Sequence, residues 1–592
     1  MRNFSDTDEK KDKFFSPAGL LRVLYFLLLP AASFFLMEAY EHNAFLEVRT
    51  NAIWLNILLF ELIGWGLYFL VGRMQIAAVL LLLFSMVFGL INHYVMVFRS
   101  TPFVPWDIFS VGTAASVMGN YDFTPTPAVV FVTLGFLGLM VLSFPVLARG
   151  PKIHIMFRVG AFALAAVGLC SFVHLLQQES FQNKAYLYPF LFTPAYMTKV
   201  NGMAVTFAMD LAYVAVDKPK GYDAAEAKAV LETYEHKNTG AEPQELPNLI
   251  VIMDEAFSDL SVLGNLETTE DEMPFLHKMQ KGAENTITGN VQVSVCGGNT
   301  ANSEFEFLTG NTMAFLPAGS IPYQQYIKSE TPSLAGYLKS LGYETYAQHP
   351  YMAGGWNRNQ VYPLLGFDHM DFLPEYTGAG YVRKYVSDAS DMQHIIDTFE
   401  KKKAGVPLFL FNVTMQNHGG YTDVYPDLSL DVRSGNGSSQ LDQYLSLLRL
   451  SDQALEQLVS YFSQVDEKTM IVFFGDHQPA SGVTSAITDN PLLQGALDKN
   501  ETLRYQVPYL VWANFDIEEK TKADTSLNYL AAQVLAAAGI PTNSYQNFLL
   551  ELSSSYPVIS AAGETKAAGA SEEILDTYRK LQYYQLFEKE KK

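Results

Sequence analysis

The chain has 592 residues, 49% of them hydrophobic, and a formal net charge of −21 at pH 7. This acidic balance argues against nucleic acid as a partner, because binding to a phosphate backbone needs a basic surface. The only two cysteines, Cys170 and Cys296, lie far apart in the sequence and imply no disulfide framework. The length exceeds that of one ordinary domain, and the concentration of apolar residues in the first third predicts a membrane part followed by a soluble part.

Five long apolar segments in the first third contain almost no charged residues. They cover residues 20–37, 52–71, 76–98, 128–147 and 155–176. Each is long enough to cross the roughly 30 Å hydrocarbon core of a bilayer as a helix. The pattern predicts an α-helical membrane domain of five transmembrane helices over residues 1–177.

The distribution of Lys and Arg near the helix ends predicts the orientation of this domain. Basic residues occupy three places that share one face of the membrane, namely Lys10, Lys11, Lys13 and Arg22, then Arg73, then Arg149 and Lys152. We therefore expect a multi-pass protein of the cell membrane with a cytoplasmic N-terminus. An odd number of crossings then places everything after about residue 178 outside the cell.

Residues 99–123, between the third and fourth predicted helices, contain too many Pro and Gly residues to span a membrane. One interpretation is an outer loop at the headgroup level, with Trp106 and Phe109 as interfacial anchors. The other is a re-entrant element that helps to admit a lipid, which requires cover from surrounding protein.

Residues 178–245 are predicted as a linker with interfacial helices, one of them an amphipathic segment at 202–216 that lies on the outer surface. From residue 246 onward, short apolar runs alternate with helical segments. The runs are NLIVIMDE, TYAQH, PLFLFNVTMQNH, MIVFFGDH and PYLVWANF. Such runs favour an α/β domain with a central, largely parallel sheet over residues 246–592, including a C-terminal tail.

Polar residues with metal- and phosphate-binding chemistry follow several of these predicted strands. They are Glu255, His349, His418, Asp476 and His477. Any one of them alone has an ordinary structural interpretation, such as a helix cap or a hydrogen-bonded loop residue. Because ligands bind at the carboxyl ends of strands in open α/β sheets, the set together predicts a functional site.

Two carboxylates and an imidazole, from Glu255, Asp476 and His477, form a mixed oxygen and nitrogen ligand set. It suits Mn²⁺, with Mg²⁺ or Zn²⁺ as less favoured occupants. Three protein ligands leave room for a reacting oxygen, which Thr300 can supply. Coordination to a divalent cation is one way to lower the pKa of a threonine hydroxyl enough for nucleophilic attack.

Two further elements have the chemistry to bind phosphate. In SVCGGNTANSEFEFLTG, Gly297 and Gly298 allow close backbone approach, and a helix that starts near Ala301 aims its free N–H groups at an anion. In GGWNRNQ, Arg358 is a possible phosphate clamp and Trp356 a possible contact for glycerol, although both also have an ordinary packing interpretation.

Five membrane helices followed by MDEAF, GGNTANSEFEFLTG, WNRN, TMQNHGGY and FFGDHQP resemble the lipoteichoic acid synthase family of Gram-positive bacteria. Members of that family are phosphoglycerol transferases with an extracellular sulfatase-like domain of the alkaline phosphatase type. The resemblance implies a Mn²⁺ site formed by Glu255, Thr300, Asp476 and His477.

The resemblance also implies phosphoglycerol-binding roles for Trp356, Arg358, His349 and His418, and catalytic roles for Thr300, Arg358 and His418. In the implied reaction, Thr300 attacks the phosphorus of phosphatidylglycerol, diacylglycerol leaves, and the glycerophospho-threonine intermediate passes its group to an acceptor hydroxyl. His418 is either a proton donor to the leaving oxygen or a hydrogen-bonding partner of the substrate.

The acceptor stays open, because GGNTANSEFEFLTG differs from the GKTSDSEF-like sequence of the best-known synthases. A growing polyglycerolphosphate chain, a glycolipid primer and a wall polysaccharide all fit. Two alternatives for the function are a phosphoethanolamine transferase or phosphodiesterase on the same fold, and a non-catalytic membrane protein that binds teichoic acid or lipid phosphate.

Overall fold

The computed structural model describes residues 17–99, 102–110, 123–148, 154–188, 194–214, 216–235, 245–317, 320–435, 437–490 and 500–588. The described residues form two compact units, which divide between residues 215 and 216.

The first unit contains five long apolar helices. They are α1 (Pro17–Glu38), α3 (Thr50–Val71), α4 (Met74–Arg99), α5 (Pro127–Leu147) and α6 (Ile155–Leu176), and the short α2 (Ala44–Glu47) precedes α3. All five are long and apolar enough to cross a membrane. The prediction of five transmembrane helices is confirmed, and the chain is a multi-pass membrane protein.

Several residues used to predict orientation lie outside the described part of the chain, namely Lys10, Lys11, Lys13, Arg149 and Lys152. The same holds for most of the segment at 99–123, including residues 111–122 and the side chain of Phe109. Trp106, the other anchor predicted there, is buried in the first unit.

The first part of the interval predicted as a linker folds with the membrane helices. It forms α7 (Glu179–Lys184), α8 (Pro194–Asn201) and α9 (Met203–Asp210). Polar side chains of the long helices bind the start of α9: Met203 N donates to Glu38 Oε1 at 2.7 Å, and Val205 N donates to Asn56 Oδ1 at 3.0 Å. These bonds satisfy N–H groups that have no partner within the helix.

The second unit is built on an eight-stranded sheet with the order β10-β2-β9-β8-β1-β7-β3-β4. Its strands are β1 (Asn248–Asp254), β2 (Thr286–Gln292), β3 (Glu344–Gln348), β4 (His369–Asp371), β7 (Leu408–Val413), β8 (Thr469–Gly475), β9 (Gln506–Ala513) and β10 (Thr525–Ser526). Only β9 runs antiparallel to its neighbours, so the predicted largely parallel sheet is confirmed. Two small hairpins pair β5 (Tyr381–Val382) with β6 (Tyr385–Val386) and β11 (Val558–Ser560) with β12 (Gly563–Thr565).

Helices cover both faces of the sheet. They are α11 (Pro274–Met279), α12 (Thr300–Thr309), α13 (Pro322–Gln325), α14 (Leu334–Ser340), α15 (Arg358–Leu364), α16 (Asp388–Lys401), α17 (Ser439–Phe462), α18 (Ser481–Thr488) and α19 (Leu527–Ala537). Three further helices, α10 (Ala224–Thr233), α20 (Ser544–Ser555) and α21 (Glu572–Tyr583), pack around a separate apolar cluster. Along β1, Val251 and Met253 join one apolar core and Ile250 and Ile252 join the other. This alternation follows from the two-residue period of a strand, and burial on both sides explains the continuous apolar runs.

The direction of the strands determines where the polar residues meet. Glu255 follows β1, His349 follows β3, and Asp476 with His477 follows β8. His418 lies five residues beyond the end of β7. Since these strands are all parallel, their carboxyl ends lie at one edge of the sheet, as the sequence predicted.

Candidate active site

Three side chains at this edge form a compact group with metal-ligating chemistry. Glu255, Asp476 and His477 are buried, and their ligand atoms lie within 4.8 Å of one another. His477 Nε2 is 3.2 Å from Asp476 Oδ2 and 3.9 Å from Glu255 Oε1. The residues at the ends of β1 and β8 thus converge on one point.

The backbone around these ligands is tightly fixed. A Cβ atom on Gly475 would lie 1.8 Å from the carbonyl oxygen of Phe257, so only glycine allows β8 to pass beneath the turn that follows β1. Within that turn, Ala256 has a φ of 53° and its N–H donates to Asp476 Oδ1 at 2.7 Å. Asp476, which follows β8, is therefore hydrogen-bonded to the backbone of the turn that follows β1.

The orientation of His477 points to a positive group between the ligands. Its Nδ1 lies 2.9 Å from the carbonyl oxygen of Gln478, which can only accept, so Nδ1 is the nitrogen that donates. In a neutral ring, Nε2 then directs a lone pair at the carboxylate of Asp476. Two facing lone pairs need a proton or a cation between them.

The raised pKa values of the two carboxylates also indicate a positive group between the ligands. Burial raises the pKa of Glu255 well above its usual value, and the nearby charge of Asp476 adds to this rise. Burial also raises the pKa of Asp476, although the charge of His477 opposes the effect. Two buried acids and an imidazole fit a divalent cation.

Thr300 lies beside this group. Its Oγ1 donates a hydrogen bond to Glu255 Oε2 at 3.4 Å, and its side chain is buried. It is the first residue of α12, one position before the predicted start, and Asn299 before it has a φ of 67°. Ser303, one turn further on, donates to the carbonyl oxygen of Asp476 at 2.6 Å and ties the helix to the end of β8.

Arg358 is buried in a second polar network. Its Nε and Nη2 donate to Glu304 Oε1 at 2.9 and 2.6 Å, and its Nη1 lies 3.0 Å from His349 Nε2. Tyr362 Oη donates to the other oxygen of Glu304 at 2.7 Å. His349 Nδ1 lies 2.8 Å from the carbonyl oxygen of Val413, so both ring nitrogens of His349 have protein partners.

This network limits what the two residues can offer a substrate. Burial and the charge of Arg358 lower the pKa of His349 well below its usual value, which keeps its ring neutral. Glu304 and His349 engage three of the five N–H groups of Arg358, and its side chain is only 3% exposed. Glu304 is not among the residues predicted from the sequence, where its only signal was its position one helical turn after Thr300.

Replacing Glu304 with glutamine is expected to destabilise the second unit, because it leaves the charge of Arg358 buried without a carboxylate. Loss of one partner of a buried ion pair costs about 3–5 kcal/mol. Thermal unfolding of the purified full-length protein measures the effect. The matched control is Glu572→Gln, which breaks an ion pair with Lys566 at an exposed site and should cost no more than about 1 kcal/mol. Equal melting temperatures for the two variants would contradict this assignment.

His418 lies at the edge of the site. Its Nδ1 is 3.1 Å from Tyr385 Oη. The side chain keeps solvent-exposed surface, yet desolvation by the surrounding protein and the charges of His477 and Lys384 lower its pKa to about 4. The ring is therefore neutral at pH 7.

Trp356 lies two residues before Arg358 and is half-buried. Its φ of 54° is followed by a φ of 60° at Asn357, so two successive left-handed residues precede the start of α15 at Arg358. Trp356 packs against the core on one face of the sheet. Its contact with a glycerol group stays a prediction.

Comparisons with known proteins agree with this architecture. Residues 247–540 match the sulfatase family. A candidate cyclic β-1,2-glucan modification protein of Rhizobium meliloti (strain 1021) is 29% identical over 569 residues, which cover 92% of this chain and 86% of that protein. The lipoteichoic acid synthase of Staphylococcus saprophyticus is 27% identical over 236 residues, and the match covers 39% of this chain but only 35% of that protein.

The fold also has a counterpart among solved structures. A phosphoglycerol transferase of Streptococcus pyogenes in complex with sn-glycerol-1-phosphate superimposes with a TM-score of 0.51 and 20% sequence identity, covering 62% of this chain and 95% of that one. At this identity the similarity shows the fold alone. Residues 247–540 thus form a sulfatase-family domain, in a chain that carries five helices able to span a membrane and that is similar to the lipoteichoic acid synthases.

Proposed function

We propose that the protein is a metal-dependent phosphoglycerol transferase, which moves glycerophosphate from phosphatidylglycerol through a Thr300 intermediate to lipoteichoic acid or another cell-envelope glycopolymer. The position of Thr300 carries this proposal. Its hydroxyl is directed at Glu255, next to Asp476 and His477, at the first turn of a helix. A packing or binding role does not require a buried hydroxyl beside three ligand atoms.

The proposed metal ligands are Glu255, Thr300, Asp476 and His477, and Mn²⁺ is the favoured ion, ahead of Mg²⁺ and Zn²⁺. When bound, the cation lowers the pKa of a coordinated hydroxyl and neutralises charge on a phosphate oxygen. Glu255 accepts the hydrogen bond of Thr300 and so holds the hydroxyl in one orientation. His477 is oriented by its own bond to the backbone of Gln478.

In the first half-reaction, the Thr300 hydroxyl loses its proton as a bond forms between Oγ1 and phosphorus, the bond from phosphorus to the diacylglycerol oxygen breaks, and that oxygen takes up a proton. In the second, an acceptor hydroxyl loses its proton as it attacks phosphorus, the bond from phosphorus to Thr300 Oγ1 breaks, and Oγ1 is protonated again. In this proposal Arg358 contacts the phosphate, and Trp356 packs against the glycerol. His349 orients Arg358.

For His418 we favour a hydrogen bond to the substrate over proton donation by a charged ring. Desolvation and the nearby charges lower the pKa of His418, which favours its neutral ring. With Nδ1 facing the hydroxyl of Tyr385, Nε2 is the nitrogen left to contact a substrate oxygen.

We further propose that the N-terminus is cytoplasmic and that the second unit lies outside the cell membrane, where an outer-leaflet phosphatidylglycerol is the donor. The acceptor is a hydroxyl of a glycerophosphate polymer or a glycolipid. A glucan is a second candidate acceptor, because the similarity to the glucan modification protein extends over most of both chains.

The donor is tested with the full-length protein in liposomes that contain phosphatidylglycerol or phosphatidylethanolamine, each with a labelled headgroup, in the presence of Mn²⁺. We expect diacylglycerol from phosphatidylglycerol only, and none after chelation. Release from phosphatidylethanolamine alone would instead support the phosphoethanolamine transferase alternative. No release from either lipid would favour a binding protein.

The affinity for Mn²⁺ is expected to rise with pH. Burial raises the pKa of Glu255 and Asp476, so protons compete with the cation at low pH, and binding displaces them. Titration calorimetry between about pH 5 and about pH 8, in two buffers of different ionisation enthalpy, measures both affinity and proton release. A constant affinity without proton release would contradict the assignment of these carboxylates as ligands.

A further inference from the structure

An unusual turn lies beside His418. The strands β5 and β6 form a hairpin whose two-residue turn is Arg383-Lys384, and Arg383 has a φ of 58°. Glycine or asparagine is the usual residue where a hairpin turn needs a positive φ. A large side chain keeps this conformation only where surrounding contacts hold it, and such strain concentrates at functional sites.

The side chain of Arg383 points into the protein and bonds to the segment that carries His418. It is only 8% exposed. Its Nη2 donates to the carbonyl oxygens of Gln416 and His418 at 2.7 and 2.8 Å. Its backbone N–H donates to Asp427 Oδ2 at 2.8 Å, which fixes the turn itself.

Aromatic rings surround the guanidinium. Its central carbon lies 5.5, 5.2 and 5.8 Å from the ring centroids of Tyr385, Tyr421 and Tyr425, which is cation–π distance. Two of these tyrosines bond to the same segment: Tyr385 Oη lies 3.1 Å from His418 Nδ1, and Tyr421 Oη donates to the carbonyl oxygen of Asn417. Arg383 thus holds both the segment and the rings that contact it.

We infer that Arg383 is a positioning residue of the active site, which holds residues 414–418 so that His418 faces the reacting phosphate. The role of His418 in this inference rests on the proposed function. That Arg383 holds residues 414–418 in place rests only on its hydrogen bonds and ring contacts. We assign Arg383 a holding role, because its Nη2 donates to two backbone carbonyls of this segment.

The test compares Arg383→Gly with Arg383→Ala in the full-length protein. Both variants lose the same contacts, but glycine accommodates the positive φ, so the glycine variant should melt at the higher temperature. The matched control is Arg579→Ala, which removes a guanidinium from the ring of Phe315, 4.8 Å away, outside the site.

We expect faster hydrogen exchange in residues 414–418 of both Arg383 variants and normal exchange there in the control. We also expect kcat for diacylglycerol release to fall about 10- to 100-fold in both, with KM for phosphatidylglycerol nearly unchanged, because a displaced catalytic group slows the step itself. The two variants should be equally slow despite their different melting temperatures.

Two results would overturn the inference: unchanged exchange at 414–418 in Arg383→Gly, or a kcat that follows the melting temperature across the variants. If the wild-type protein releases no diacylglycerol from any lipid, the proposed function fails, and hydrogen exchange alone then decides whether Arg383 holds this segment.

Discussion

Thr300→Ala is expected to abolish diacylglycerol release from phosphatidylglycerol, with a loss of at least about 10³-fold in kcat. An alanine has no oxygen with which to form the covalent intermediate, and removal of a nucleophile is not offset by the rest of a site. Thr300→Ser restores a hydroxyl at the same backbone position and should retain measurable turnover. Diacylglycerol release from phosphatidylglycerol liposomes with Mn²⁺ is measured for the wild-type protein and for both variants.

Thr309→Ala is the matched control for this prediction. Thr309 is also a buried threonine of α12, but its hydroxyl donates to the carbonyl oxygen of Phe305 at 2.6 Å, within the helix. Its loss should cost about 1 kcal/mol of stability and leave turnover intact. Thr300→Ala that keeps more than about a tenth of wild-type turnover would rule out the threonine as nucleophile.

Asp476→Asn is expected to remove both Mn²⁺ binding and turnover, the second by at least about 10³-fold. The substitution keeps the shape of the side chain but removes the charge that balances the cation. In metal-free protein, Asp476→Asn should raise the melting temperature at pH 7, because it removes a buried carboxyl whose pKa is raised. Calorimetry with Mn²⁺ and thermal unfolding measure the two effects.

Asp452→Asn provides a control outside the site. Asp452 is a buried carboxylate that accepts the backbone N–H groups of Phe275 and Leu276 at 2.8 and 2.9 Å, and burial raises its pKa as it does that of Asp476. Its substitution should leave Mn²⁺ affinity unchanged. If Asp476→Asn bound Mn²⁺ as tightly as the wild type, Asp476 would not be a ligand.

The sheet and its functional edge could be predicted from the sequence because β1, β7 and β8 are apolar at nearly every position and end in polar residues. Strands of this kind are recognisable without any knowledge of their partners. By contrast, β2 has the sequence TITGNVQ, whose glycine and asparagine disfavour a strand. Pairing with β9 along its full length stabilises it, and that pairing is not visible in the local sequence.

The polar networks behind the site could not be predicted for a related reason. Glu304 meets Arg358 across 54 positions of sequence, and Arg383 meets His418 across 35. Neither Glu304 nor Arg383 belongs to a motif that indicates its partner. The same holds for α9 in the first unit, which is anchored by Asn56 from a distant helix.

Mass spectrometry of the peptide that contains Thr300 tests the central claim most directly. The full-length protein is incubated with phosphatidylglycerol liposomes and Mn²⁺ without an acceptor, so that the first half-reaction accumulates its product. We predict one glycerophosphate group on Thr300, absent in Thr300→Ala and after chelation. Diacylglycerol release with no group on Thr300, or with the group on another residue, would contradict the account.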